Sequence, residues 1–337
     1  MKAHQPGTQR LFFRRLLGSL AGLLAALSGI LPPQAAHAGD WPERQIVLIV
    51  PWPAGGETDT FARGLAQGLA ANLERPVIVE NKPGATGAIG IRHARGKTDG
   101  YTFLFANTTA LVGNVVSSPE PVNFDPLADF IPVGLTVESV YVLWAHPSLG
   151  VKNFDELLAR ARDKSKAQLA FGITGNGAVS ELSVEQLARH FNLDLLKVPY
   201  KGSAPQVADL IAGHIQIGTA NLSVALGAYR EGRLVPLLVI GAQRLPELPG
   251  VPATAELGIT DPDFTLWDGL FAPAGTPDAI VAALTRAARE AVKSEAFNTV
   301  ANGNGHRVIF QSGAEASARI ANDLAARRRF QAQIEKK

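Results

Sequence analysis

Three stretches of this chain share one design: an apolar run, a glycine-rich turn, then a helical pattern. They are residues 51–59, 174–180 and 201–205. The first-turn N–H groups of a helix have no intrahelical partner and point out of its end. The helix dipole adds partial positive charge there. Such an end takes up carboxylate, phosphate or sulfate. Glycine lets the backbone approach a bound group, and hydroxyls at Thr58, Thr174, Ser180 and Ser203 add donors. One such loop is explained as a turn. Three of one design point to the binding of a small anion at the C-terminal ends of strands, where ligands of α/β sheets collect.

Other chemistries lack their residues. There is no G-x-S-x-G turn and no S-x-x-K, so the usual serine-nucleophile signatures are missing. Cysteine is absent, which excludes a disulfide, a thiolate nucleophile and a cysteine-held metal. The histidines show no i,i+4 pair and no H-E-x-x-H, so a zinc site is not expected. Residues 84–90 resemble a dinucleotide fingerprint only loosely, and Gly175-Asn176-Gly177 is followed by Ser180 where the third glycine belongs. No loop carries G-x-x-x-x-G-K-[ST]. No cofactor is expected. The rival class is an exported hydrolase using Ser180 or Ser203.

The elements that must hold these loops alternate. Ile46–Val50 reads as a buried strand. Phe61, Leu65, Leu69 and Leu73 recur at helical spacing up to Arg75-Pro76. Strands are expected at 77–80 and 101–106, an irregular stretch over 107–129, and a strand over 140–145. The pattern then restarts with a helix over 154–162, a strand over 169–173 and a helix through Phe191. Ser203 suits an N-cap, Pro205 a first turn and Gly213 a C-terminal cap. Strands at 237–240 and 265–272 and helices over 276–292 and 314–333 complete the chain. Such alternation predicts two α/β units, each a mostly parallel sheet flanked by helices. Arg327-Arg328-Arg329 reads as a solvated helix end.

The 337 residues suggest about two domains. The first 38 have the plan of a cleaved export signal: Lys2, Arg10, Arg14 and Arg15, an apolar run over 16–31, then Ala36-His37-Ala38. The apolar run is shorter than the ~20 residues a spanning helix needs. Arg14-Arg15 leaves general and twin-arginine export both open. The signal carries four of the 32 Lys+Arg and none of the 30 Asp+Glu, leaving 28 basic against 30 acidic groups. The mature chain thus offers no bulk charge for nucleic acid.

The loops and their order resemble the tripartite tricarboxylate transporter substrate-binding (Bug) family over nearly all of the mature chain. The resemblance is carried by residues 51–59 (PWPAGGETD), 79–87 (VENKPGATG), 99–102 (DGYT), 124–127 (FDPL) and 146–149 (HPSL). Gly175-Asn176-Gly177, 198–205 (VPYKGSAP), 248–252 (LPGVP) and 267–277 complete it. It implies a two-lobed periplasmic-binding-protein (Venus-flytrap) fold: residues 39–143 and 265–337 forming one lobe, 144–264 the other, with hinges near 143–145 and 264–267. It implies a monomeric periplasmic receptor for a small carboxylate (an organic acid, amino acid or aromatic acid). Its partners would be membrane transporter subunits or a sensor kinase. The first-lobe cradle would be Trp52, Ala54, Gly55, Gly56, Glu57 and Thr58, with Pro83 and Gly84 beside it. The second-lobe cradle would be Thr174, Gly175, Gly177, Ala178 and Ser180, with Lys201, Gly202, Ser203 and Ala204 as the adjacent wall. Asp59 would cap its helix, and Lys201 faces either the cleft or solvent.

Three positions depart from the family pattern. Glu57 stands where a small residue is usual. The helix start favours its charge, and its side chain is expected in water. Facing the cleft instead, it would repel a simple dianion and favour a ligand with an amine or other donor. Ala220-Asn221 stands where Asp is common, which would remove a polar contact. Trp52 replaces a Phe and would narrow the pocket or stack on a flat ligand.

Overall fold

The computed structural model describes residues 41–117, 122–173, 179–200, 203–302 and 305–335. Residues 1–40, read above as an export signal, residues 174–178 and residues 201–202 lie outside them. The chain opens with β1 (Ile46–Val50), α1 (Glu57–Leu73), β2 (Val77–Asn81), α2 (Ala88–Ala94) and β3 (Thr102–Asn107). A wide helical turn, Thr109–Gly113, runs into a short one, Asn114–Ser117. Then come β4 (Phe130–Ser139), β5 (Tyr141–Ala145), α3 (Phe154–Arg162), β6 (Leu169–Ile173) and α4 (Val179–Phe191). They are followed by β7 (Leu195–Pro199), α5 (Ser203–Ala212), β8 (Ile217–Asn221), α6 (Leu222–Arg230) and β9 (Val235–Ile240). The return is β10 (Leu266–Pro273), α7 (Asp278–Ala291), α8 (Glu295–Ala301), β11 (His306–Gln311) and α9 (Gly313–Glu335).

These strands form two sheets, ordered β11-β4-β10-β3-β1-β2 and β7-β6-β8-β5-β9. The two α/β units are therefore present, but the sheets are mixed rather than mostly parallel. Pairing is parallel from β2 through β1 to β3 and from β7 through β6 to β8. It is antiparallel wherever β4, β5, β9, β10 or β11 takes part. The physical reason is connectivity. A helical crossover imposes parallel pairing, whereas β4 and β10 run between the sheets and pass each other in opposite directions.

The chain leaves the first sheet at Ser139 and enters the second at Tyr141, with only Val140 between. Leu143–Ala145, read above as a crossing, lies inside β5. The break follows the polar pair Glu138-Ser139 between two apolar runs, 130–137 and 140–145. Each sheet buries its own core. Ile49, Leu104, Leu135, Trp267 and Phe271 fill the first, and Leu143, Phe171, Leu182 and Leu238 fill one face of the second. α9 serves both: Ile320 and Leu324 pack on the first core, and Phe330 reaches the second, against Phe264. It does not return to the first lobe alone.

α1 covers one face of the first sheet and packs on α7. A Cβ at Gly68 would stand 2.9 Å from the Cα, Cβ and carbonyl oxygen of Ala291. Gly68→Ala should gain about 1 kcal/mol of helix propensity and lose about 1–3 kcal/mol to overpacking. A fall in thermal midpoint is expected. A rise would show that the two helices separate freely.

Candidate functional site

α1 starts directly after the loop that follows β1. Gly55 has φ +80°, a conformation that favours glycine. Gly56 is extended and caps the helix without a side chain. Asp59, two residues inside the helix, reaches back to take the Gly55 N–H at 2.8 Å, much as an N3 acid does in a capping box. Arg63 Nε and Asn81 Nδ2 donate to the same carboxylate at 2.9 and 2.8 Å. Burial opposes its charge, but these hydrogen bonds outweigh burial and hold it below the usual carboxylate range. Asp59 thus organises the loop from within.

Glu57 does not face open water. Ser139 Oγ, at the end of β4, donates to its Oε1 at 3.1 Å, and Asn221 Nδ2, at the end of β8, donates to its Oε2 at 2.8 Å. One carboxylate is therefore held from both sheets. A helix N-terminus does favour a negative charge, but the side chain also reaches the second sheet. His306 Nδ1 lies 2.8 Å from Ser139 Oγ and 3.8 Å from Glu57 Oε1. Because the Ser139 proton goes to Glu57, His306 donates to Ser139. The order is imidazole to hydroxyl to carboxylate, the reverse of a nucleophile activated by a base. Burial lowers the His306 pKa, against the raising influence of Glu57 and Glu247, which favours the neutral ring.

Around Glu57 stand three further groups. Asn107 Nδ2 donates to Thr58 Oγ1 at 3.1 Å, and Thr58 hydrogen-bonds Asp268 on β10. Burial, reinforced by the charge of Glu57, pushes the Asp268 carboxyl up to about 8, with the Thr58 hydrogen bond opposing. Burial and Glu57 also raise the Tyr141 phenol, which hydrogen-bonds Ser203 at the start of α5. Tyr141 and Asn221 are direct partners across β5 and β8, and Leu143 and Thr219 are the next pair on that face.

The other predicted residues are placed as follows. Ala54, Gly55, Pro83 and Gly84 are exposed, and Thr58 is buried. Trp52 packs against the first-sheet core, and its indole nitrogen has no partner among the described residues. Gly84 has φ +123°, and a Cβ there would strike Ile89 at 2.6 Å. Ser180 is fully buried at the start of α4. Thr174, Gly175, Gly177, Ala178, Lys201 and Gly202 lie outside the described residues, as does the Ala204 side chain. Of the two serines of the hydrolase reading, Ser180 is buried and Ser203 hydrogen-bonds Tyr141 rather than a base.

Asp268, Ser139, Tyr141, Thr219 and His306 escape the sequence reading. Only Asp268 leaves a sign, as the lone charge in the otherwise apolar strand Leu266–Pro273. Arg327 is a further correction. It is 2% exposed, its guanidinium stands over the Phe264 ring, and none of its side-chain nitrogens has a partner among the described residues. The helix extends to Glu335, so Arg327 sits inside it and faces the junction of the two cores.

Two mixed α/β sheets, joined by neighbouring crossings and meeting through polar side chains, define a two-lobed binding protein. Residues 61–336 match the family described as the tripartite tricarboxylate transporter family receptor, TctC. The chain belongs to that family. It is 34% identical to protein BugT of Bordetella pertussis over 283 residues, covering 84% of this chain and 86% of BugT. Among solved structures it is similar to MatC (Rpa3494) of Rhodopseudomonas palustris with bound malate, with 28% identity and TM-score 0.71, covering 86% of this chain and 100% of that one. It is also similar to R. palustris Rpa4515 with adipate, with 28% identity and TM-score 0.74, covering 86% and 97%.

The raised Asp268 carboxyl has a consequence for stability. Its pKa is about 8 in the folded chain against an ordinary 3.8. Folding takes up a proton between those values, so this group's contribution is present at low pH and lost as pH rises through about 8. Asp268→Asn removes that titration. By calorimetry the variant should gain on the parent, in thermal midpoint, between about pH 5 and pH 8.5. An unchanged difference across that range would refute the assignment.

Proposed function

We propose that this protein is a periplasmic solute-binding receptor. It closes two lobes around a small carboxylate-bearing ligand and hands it to a tripartite tricarboxylate-type membrane transporter, acting as a monomer and catalysing nothing. The observation that carries this reading is the meeting of groups from both sheets at the start of α1. The first-turn N–H groups there and the start of α5 supply hydrogen-bond donors of the kind that receive carboxylates. Family membership and the malate and adipate held by similar proteins support it. The predicted loops 52–58, 83–84, 174–180 and 201–204 are the two sides of the proposed cleft.

Closure would be a rotation about the two crossings, at Val140 and between β9 and β10. A ligand shifts that equilibrium by its differential affinity for the closed form.

The test is thermal unfolding of the mature protein with a panel of small organic, amino and aromatic acids. A ligand at 100 times its dissociation constant should add about 2.7 kcal/mol. Gly56→Asp should weaken that ligand at least about tenfold by calorimetry, because a carboxylate then competes at the helix N-terminus. The backbone at Gly56 is extended, as any residue allows, and a Cβ there meets only the Pro53 carbonyl oxygen, at 3.3 Å, so circular dichroism accompanies the titration. Undiminished affinity would remove this loop from the site.

A further inference from the structure

The cleft is rich in acceptors. Beside the Glu57 carboxylate, three buried oxygens have no hydrogen-bond partner among the described residues: Asp268 Oδ1, Asn221 Oδ1 and Thr219 Oγ1. Their side chains are 2%, 7% and 0% exposed. Buried polar atoms are almost always satisfied, and an exception calls for an occupant. Asn221 is hydrogen-bonded to Glu57 and Asp268 lies within its field, so these two oxygens flank the carboxylate; Thr219 stands two residues before Asn221 on the same face of β8.

With Asn221 Oδ1 and the Glu57 carboxylate at its centre, this group favours an incoming donor. The Asn221 amide already spends an N–H on Glu57, so its free oxygen can only accept. Each Glu57 oxygen takes one hydrogen bond, and a carboxylate has about four acceptor sites. The Thr219 hydroxyl can turn to suit. An incoming carboxylate would meet like charge at Glu57 and could find donors only in the Thr219 hydroxyl and in the protonated form of Asp268. An incoming ammonium or amidinium would meet opposite charge and several free acceptors.

We propose that the ligand of this receptor carries a protonated amine or amidinium end, received by Glu57, Asp268 and the amide oxygen of Asn221. This rests on the receptor reading above and narrows it. The ligand is then a zwitterion, with its cation at the acceptor cluster and its carboxylate at the helix N-termini. Simple dicarboxylates are disfavoured. A cation would also allow Asp268 to ionise next to Glu57, since a nearby opposite charge favours the charged form.

The test is calorimetric titration of the full mature chain with matched series at four, five and six carbons. Each series holds a dicarboxylate, the corresponding amino acid with a terminal amine, and the diamine. For six carbons these are adipate, 6-aminohexanoate and 1,6-diaminohexane; aspartate and glutamate are added. Glu57→Gln removes the charge and keeps one acceptor oxygen, for Ser139 or for Asn221 but not for both, and circular dichroism checks its fold. Asp268→Asn is the second variant.

The expected result is binding of one or more amine-bearing carboxylates, with dicarboxylates of equal length weaker by at least about tenfold. Glu57→Gln should weaken the amine-bearing ligand about ten- to a hundredfold, the range lost with a hydrogen bond to a charged group. It should also improve the dicarboxylate. Dicarboxylates that bind the parent as tightly as their amino counterparts would overturn the inference and leave the receptor reading intact. Diamines that bind as well as the amino acids would keep the cation site and overturn the carboxylate part of the receptor reading. No binding by any compound to the parent or either variant would overturn both.

Discussion

Strands β4 and β10 lie side by side and antiparallel, with Ser139 opposite Leu266 and Val137 opposite Asp268. Both are crossing strands, so the two passages between the sheets are held at one place. The register shifts between Asp268 and Gly269, and again between Leu270 and Phe271. Such irregularities re-aim side chains near functional sites. Here one brings a carboxyl from the middle of an apolar strand toward Thr58. The same pairing places Ser139 where it can reach Glu57 from below. Polar groups of the cleft thus inherit their positions from backbone pairing rather than from flexible loops.

Much of this was legible in the sequence because it depends on local rules. β1 and β6 are short apolar runs with turns behind them. α3 ends match its apolar spacing, and Gly213 follows α5 with φ +79° and a carbonyl contact to Leu210. The family resemblance was also legible, because its loop segments recur in order. What was hidden depends on contacts distant in sequence. β8 reads Ile-Gly-Thr-Ala-Asn, with too few large apolar residues to announce a strand, yet it is fully buried because its neighbours β5 and β6 cover it. β11 is an edge strand with no buried residue: five are half-buried and Arg307 is exposed. The direction of Glu57 was undecidable from α1 alone. A helix start accepts an acid whether it points to water or across a cleft, and Asn221, 164 residues away, decides the matter.

Holding a carboxylate between two sheets has an energetic logic of its own. Glu57 is about one-third exposed and has both oxygens hydrogen-bonded, so its charge keeps part of its hydration and gains two donors. Its field then acts on less exposed neighbours. It helps keep Asp268 protonated and makes the Tyr141 phenol harder to ionise. Two carboxyl groups this close do not both ionise readily without a compensating charge. Glu57 is placed at a helix N-terminus, where negative charge is favoured.

The contacts that bridge the two cores away from Glu57 lie close to the same crossings. Phe330 of α9 meets Phe264, which precedes β10 by two residues. Arg327 stands over that same ring, with Asp323 and Asp263 offsetting part of the cost of its burial. On the other side, Val140 donates to the Gly305 carbonyl at 3.4 Å, and a Cβ at Gly305 would stand 2.8 Å from that of Leu222. Points near a rotation axis move little during hinge closure, so tight packing of Phe264, Gly305 and Leu222 is compatible with rotation about Val140. The Glu57–Asn221 hydrogen bond is different in kind. It joins two side chains, one on a helix start and one on a strand end, and can be exchanged for a ligand or for water without disturbing either sheet. A receptor that closes needs this division: packed contacts near the axis that survive the motion, and polar contacts in the cleft that a ligand can replace.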